Sequence, residues 1–481
     1  MLFNSIEFAI FLPIVFSIYW ILDKSRMWQN LLLLGASYLF YGWWDWRFLS
    51  LIVISSLVDY SIGRKLCLTA SDNSRKLLLW ISIVLNLGLL GVFKYYNFFL
   101  ESFVSSFEFF GYSMSLDRLD IVLPVGISFY TFQTLSYTID VYRGNMKPTK
   151  DLLSFFTFVS FFPQLVAGPI ERASNLLPQF DKKRKFDYLN AADGTRQILW
   201  GLFKKIVIAD NSALIVNDIF ENYEIYNSSV LVLGAFYFAI QIYCDFSGYS
   251  DIAIGTSRLF GFELTQNFSF PYFSRNIGEF WRRWHISLST WFRDYLYIPL
   301  GGSRGGLYSK LRNTMIIFLI SGFWHGANWT FIWWGGLNAL YFIPLLLTGK
   351  NRLYITEIAS GKVFASMKEI IQILITFGLV CFAWIFFRAE NLDHAFSYIG
   401  GVASFNIENP GQALLFLTES VNLLIIVLIV FEWFHRIKKH GLQIQKTIRA
   451  PYLRGLIYVL LAVLIVLFAP KTEGEFIYFQ F

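Results

Sequence analysis

The run from Asn313 to Gly349 holds 37 residues and no Asp, Glu, Lys or Arg. As one helix it would be about 55 Å long, against a bilayer hydrocarbon core of about 30 Å. It is too long for one crossing and too apolar for the surface of a soluble domain. It predicts two membrane segments, broken near Gly326 or at Gly335–Gly336. Other charge-free runs share the character: Met27–Trp44, Leu77–Phe93, Ile121–Ile139, Leu152–Ile170, Ile225–Cys244, Ile370–Phe387 and Gly455–Pro470. Phe8–Leu22, Phe48–Val58 and Ser420–Phe431 are shorter candidates. Together they predict an all-α polytopic membrane protein with roughly ten to twelve crossings. No linker, low-complexity tract or internal repeat divides the chain, so residues 1–481 read as a single membrane domain.

Composition agrees. Hydrophobic residues are 56% and charged ones 15%, where soluble domains carry about 25% charged. A soluble multidomain protein and a disordered chain are both excluded. The net charge of +7 fits the basic cytoplasmic loops of membrane proteins. No stretch has a nucleic-acid-binding signature, so no nucleic acid partner is expected. Cys67, Cys244 and Cys381 are scattered without CxxC spacing, so neither a disulfide framework nor a metal site is expected. Glu7 precedes any basic residue and no small-x-small cleavage site follows, so Met1–Leu22 reads as a retained first membrane helix.

Loop charge gives an expected orientation. Arg64–Lys76, Asp181–Lys185, Arg304–Arg312 and Arg436–Arg454 are basic and read as cytoplasmic, whereas Glu101–Asp120 and Asp218–Glu224 are acidic and read as external. Leu152–Ile170 lies between two basic loops, and Pro163 with Gly168-Pro169 predicts a broken, re-entrant helix there. Gln197–Asp210, with Lys204 and Lys205 in its middle, and Glu279–Leu300 read as interfacial or re-entrant parts of an irregular intramembrane layer.

Polar residues at membrane depth mark candidate chemistry. The first cluster is Ser321-Gly-Phe-Trp-His-Gly-Ala-Asn-Trp329. His325 lies 13 residues past Arg312, about 20 Å into the core if helical. A neutral imidazole there could act as a general base, with Trp324 beside it and Asn328 orienting the ring or donating to an oxyanion. The structural alternative is a helix–helix hydrogen bond. The second cluster runs from Glu279 to Asp294. His285, Ser289 and Arg293 would share one helical face, and Arg282, Arg283 and Arg293 could hold an anionic group such as coenzyme phosphate. The alternative is an amphipathic helix with snorkelling arginines. The third is Tyr243-Cys-Asp-Phe-Ser-Gly-Tyr-Ser-Asp251. Asp245 could pair with an arginine or orient a histidine. Otherwise Asp245, Asp251 and the serines cap a helix end. No P-loop, dinucleotide, serine-hydrolase or zincin motif is present.

Taken together these clusters resemble the membrane-bound O-acyltransferase family. The similarity is nearest its bacterial branch, which contains the alginate O-acetylase membrane subunit. Further motifs carry it: Leu31–Trp44, Leu123–Tyr130, Ile139–Gly144, Phe161–Ile170 and Arg293–Gly302, in order along almost the whole chain. The resemblance implies a ring of membrane helices around a thinned centre with re-entrant segments. It maps the family's membrane histidine onto His325, the branch's second histidine onto His285, and a supporting motif onto Asp245, Ser247, Tyr249 and Asp251. It further implies acetyl-coenzyme A as the donor substrate and no bound cofactor. The product side would be the outside of a bacterial inner membrane, with a separate SGNH-type transferase and a polysaccharide acceptor such as alginate. Transfer could be direct or through an acyl-enzyme. Peptidoglycan, cellulose or teichoic acid D-alanylation is the alternative acceptor chemistry. A transporter or flippase without acyl chemistry is the alternative class, disfavoured by the lack of repeats.

Overall fold

The computed structural model describes residues 1–114, 116–469 and 476–477. Ser115, inside the expected external loop, and Pro470, the expected end of the last membrane segment, lie outside the described residues. Among the described residues all regular structure is helical. Two compact units form: Met1–Ala192 with Thr256–Thr265, and Asp193–Gly255 with Gln266–Phe481.

Four helices among the described residues are long and apolar enough to cross a membrane: Asp72–Phe109, Ser228–Leu259, Trp329–Leu347 and Met367–Arg388. A fifth span counts if Gly411–Leu417 and Ser420–His435, bent by 61°, act as one. Ile6–Ile21 and Pro451–Leu467 are shorter apolar helices. The chain is a multi-pass membrane protein.

In the first unit, Ser5 and Ser25 cap the Ile6–Ile21 and Arg26–Asp45 helices by accepting from Phe8 N and Trp28 N. Asp59 is fully buried on the Leu49–Leu68 helix. Ser82 donates to it, as do Asn86 Nδ2 at 2.8 Å and Thr138 Oγ1 at 3.0 Å. Three helices thus meet on one carboxylate whose lost hydration is replaced by neutral donors. Leu152–Ser160 ends at Phe161, and Phe162–Leu165 follows as a single turn. The break expected near Pro163 is therefore present.

In the second unit, the uncharged run folds as two helices, Gly306–His325 and Trp329–Leu347. The break falls at Gly326–Asn328, the first of the two places anticipated. Gly335–Gly336 lies inside a helix, because the hairpin needs it there. A Cβ on Gly322 would strike the Phe331 carbonyl, and one on Gly335 the Phe318 carbonyl. These two glycines let the backbones touch, bringing the end of the first helix under the second.

The same device joins the Tyr188–Leu202 helix to the Ser228–Leu259 helix. Gly201 faces Gly248 and Gly194 faces Gly255, each pair close enough that a Cβ would meet the opposite carbonyl. Tyr188–Leu202 continues through a π-helical stretch, Phe203–Ala209, into Asp210–Glu221. The lysines of the Gln197–Asp210 segment find buried acidic partners.

Gly335→Ala and Gly336→Ala form a matched pair one residue apart. A Cβ on Gly336 meets only Leu319 Cδ2, at 3.8 Å. The Gly335 variant should lose about 1–3 kcal/mol or more and show a lower thermal midpoint in detergent. The Gly336 variant should melt like the parent.

Candidate active site

His325 is the last residue of its helix and is 3% exposed. Its ring is enclosed by Trp324 at 5.0 Å, Trp334 at 5.1 Å and Phe387 at 5.3 Å between centroids. His285 is 1% exposed, and its ring centroid lies 6.5 Å from that of His325. Trp324 touches both rings, standing 6.2 Å from His285. Sequence positions 40 residues apart are thus brought into one aromatic box. Neither helix alone could hold these imidazoles at that spacing.

The second cluster is not one continuous helix. Ile277–Arg283 ends, His285 takes a left-handed backbone with φ 44 and ψ 55, and Ile286–Phe292 begins anew. A left-handed conformation is uncommon outside glycine and asparagine, and such strain tends to mark a functional position. The shared face of His285, Ser289 and Arg293 is therefore interrupted, and Arg293 opens a π-helical stretch.

Asn267 fixes which nitrogen of His285 is basic. Its Oδ1 accepts from Ser287 N at 3.3 Å and from Ser287 Oγ at 2.9 Å, while its Nδ2 donates to Ser250 Oγ at 3.1 Å. A backbone N–H can only donate, so the amide oxygen must face that side. The contact of His285 Nδ1 with Asn267 Oδ1 at 3.0 Å therefore puts the proton on Nδ1 and the lone pair on Nε2. Nε2 has no hydrogen-bond partner among the described residues. Sequence reading missed Asn267, which stands outside every motif cluster.

The third cluster is not a helix end. Asp245 and Asp251 sit inside the Ser228–Leu259 helix. Asp245 pairs with Lys205 at 2.7 Å, not with an arginine, and Lys205 also holds Asp210 at 2.8 Å. Asp251 pairs with Lys204 at 2.6 Å and accepts from Gln197 at 2.7 Å. Lys204 also donates to Ser247 at 2.9 Å. Glu432 accepts from Tyr243 at 2.9 Å. Lys204 and Lys205 belong to a π-helical stretch, Phe203–Ala209, that is buried on every side. These acids reach the histidines at one remove. Phe246, next to Asp245, lies edge-on to His285 at 4.6 Å, and Ser250, next to Asp251, receives Asn267. Ile477 N–H donates to Asp245 at 2.8 Å, and Phe476 stacks near Tyr249 at 4.6 Å. No motif announced that contact.

The remaining candidates make contacts with the protein itself. Asn328 caps the Trp329–Leu347 helix through Thr330 N at 3.0 Å and donates to Glu390 O at 2.6 Å, so its amide is committed away from the imidazoles. Arg282 donates to the carbonyls of Asn351 and Tyr354 at 2.8 and 2.6 Å. Arg283 is held by Glu279 at 3.0 Å and Glu357 at 2.9 Å. Arg293 pairs with Asp294 at 2.7 Å. All three guanidinium groups are occupied by protein acceptors.

A cavity of about 480 Å³ is lined by residues one helical turn from each histidine, though by neither imidazole. Leu288 and Ser289, a turn beyond His285, and Ser321, a turn before His325, line it. Phe318, Phe342 and Leu346 form an apolar wall, and Lys310 and Arg352 also line the space. Neither of these two cations has an ion pair or hydrogen bond with the described residues. Lys310 and Ser321 are 11 residues apart on one helix, about 16 Å along its axis. The cavity therefore offers Lys310 and, well separated from it along the helix, the Ser321 hydroxyl one turn from His325.

With this geometry in view, comparison with known proteins gives the class. The model of the membrane-bound O-acyltransferase family matches residues 146–352. The chain is 41% identical to a probable alginate O-acetylase AlgI of Azotobacter vinelandii, over 84% of this chain and 78% of that one. It is 40% identical to the protein of the same name from Pseudomonas aeruginosa, over 84% and 75%. It is 38% identical to the peptidoglycan O-acetyltransferase of Helicobacter pylori, over 84% and 80%. The chain belongs to the membrane-bound O-acyltransferase family and is an acyltransferase.

Asn267→Ala removes the acceptor that sets the tautomer of His285. It should lower turnover about 10–100-fold, as loss of an orienting partner commonly does, while the KM for the acyl donor changes little. Ser250→Ala, one bond further out, should cost much less. Steady-state kinetics of the purified variants checks both.

Proposed function

We propose that the chain takes an acetyl group from acetyl-coenzyme A on the cytoplasmic side of a bacterial inner membrane and passes it outward for O-acetylation of an exported polysaccharide such as alginate. The observation that carries this reading is the cavity with Lys310 and Arg352 at its lining and both histidine helices at its wall. A donor with an anionic phosphate head and an extended neutral arm matches that distribution of charge. Its head would lie against the cations and its thioester against Ser321, Ser289 and the imidazoles.

In this reading His325 removes the proton of an acceptor hydroxyl as the oxygen attacks the thioester carbon. The new C–O bond forms, the C–S bond breaks, and the proton passes to the leaving thiolate, so no net proton is consumed. His285, with Nδ1–H committed to Asn267, offers only an acceptor. It takes a hydrogen bond from another O–H or N–H of the substrates and holds them against His325. The aromatic box excludes water, which would otherwise hydrolyse the thioester. The helices would form a ring around a thinned centre, letting a donor and an acceptor approach from opposite faces. A separate SGNH-type transferase outside would place the acetyl group on the polymer. Peptidoglycan is the second acceptor reading, favoured by the Helicobacter pylori relative.

His325→Ala should abolish polysaccharide acetylation while the protein remains folded in the membrane, and normal acetylation in that variant would sink the reading. Lys310→Glu with Arg352→Glu should raise the donor KM at least about tenfold, as losing two charge-assisted contacts implies, with kcat within twofold.

A further inference from the structure

We infer that the first unit carries a binding site for an anionic phospholipid, separate from the acyl-transfer chemistry and independent of it. The site is a cavity of about 480 Å³ lined by Phe16, Trp20, Asp23, Lys183, Arg184, Lys185 and Phe186. Its wall is aromatic. Phe186 meets Phe16 edge-on at 6.1 Å and Trp20 at 5.2 Å. Trp20 is locked in place by donating Nε1–H to Leu259 O at 3.0 Å. Phe186 is half exposed, and Tyr188 and Leu189 just beyond it are exposed as well. Exposed apolar surface thus adjoins the aromatic wall.

The rim is cationic. Arg184 is 6% exposed and is anchored from below. It donates to Asn30 Oδ1 at 2.7 Å and Gln29 Oε1 at 3.3 Å, and stacks over the rings of Phe262 at 5.0 Å and Tyr19 at 5.8 Å. Its Nε–H has no acceptor among the described residues. Lys183 and Lys185 are exposed and make no ion pair or hydrogen bond with the described residues. Asp23 supplies one opposing charge, leaving a net of two positive charges at the cavity.

This combination selects a phospholipid. A buried, oriented arginine between two unpaired lysines attracts a phosphate. An aromatic wall ending in a half-exposed Phe186, with Tyr188 and Leu189 exposed beside it, has no use for a soluble anion but accepts the upper part of an acyl chain. Basic pockets beside membrane helices are suited to anionic headgroups for this reason.

The test uses the full chain, purified in neutral detergent, depleted of lipid and titrated with phosphatidylglycerol or phosphatidylcholine under native mass spectrometry. Phosphatidylglycerol should occupy the protein at a concentration at least about tenfold below that of phosphatidylcholine. Each lysine near an anionic headgroup contributes about fivefold in affinity, so Lys183→Gln with Lys185→Gln should weaken phosphatidylglycerol retention roughly twentyfold. The same change at Lys439 and Lys446, in another basic loop, should leave it unchanged. Phe186→Asp should also weaken it, by removing the apolar wall with the lysines intact. Glycerol 3-phosphate should not displace the lipid. Equal binding of the two lipids, or retention unchanged in the lysine variant, would overturn the site. Displacement by glycerol 3-phosphate would overturn its assignment to a lipid.

Discussion

Two lysines, Lys204 and Lys205, lie in the apolar interior of the second unit, each 3% exposed. Alone, each would cost several kcal/mol to bury. Here Asp210, Asp245 and Asp251 surround them within 2.8 Å. The pairing fixes the rotation and height of the Ser228–Leu259 helix, because a turn of either element would strand a charge. That helix carries Phe246 against His285 and Ser250 beneath Asn267. The setting of His285 is therefore linked, through Phe246, Ser250 and Asn267, to this ion-pair network. The two lysines lie in the π-helical stretch Phe203–Ala209, and π turns are frequent at functional sites.

A second constraint acts on the other histidine. His325 ends a helix whose return partner packs against it through Gly322 and Gly335. Close backbone approach brings Trp334 and Phe387 around the imidazole, and the short Gly326–Asn328 connection holds the ring at the bottom of the hairpin. One histidine is thus placed by electrostatics and the other by steric closeness, and the two meet across Trp324.

Much of this was legible in the sequence. The charge-free run predicted the hairpin and offered its break as one of two places, and the scarcity of charge picked out His325, His285 and the Asp245–Asp251 cluster. What stayed hidden depended on contacts between distant segments. Asp251 looked like a turn residue because nothing local tells that Lys204, 47 positions earlier, supplies its counter-charge. For Arg282 and Arg283 the sequence offered phosphate ligands or snorkelling arginines, and could not show that Asn351, Tyr354 and Glu357 contact them. Lys310 was read only as part of a basic loop, and Arg352 gave no signal, until the fold left both lining a cavity. Asn267 had no local signal at all; its importance is created by Ser287 and Ser250 meeting it in space.

The proposed function links the cavity lined by Lys310 and Arg352 to His325 and His285, and a bound structure tests that link most directly. The protein would be imaged with an acetyl-coenzyme A analogue whose thioester sulfur is replaced by methylene. The prediction places the phosphates beside Lys310 and Arg352, with the carbonyl carbon within roughly one near-attack distance, about 3.5 Å, of an acceptor position facing His325. Density for the analogue elsewhere, or in the cavity with its phosphates toward Ser321 and its carbonyl toward Lys310, would contradict it.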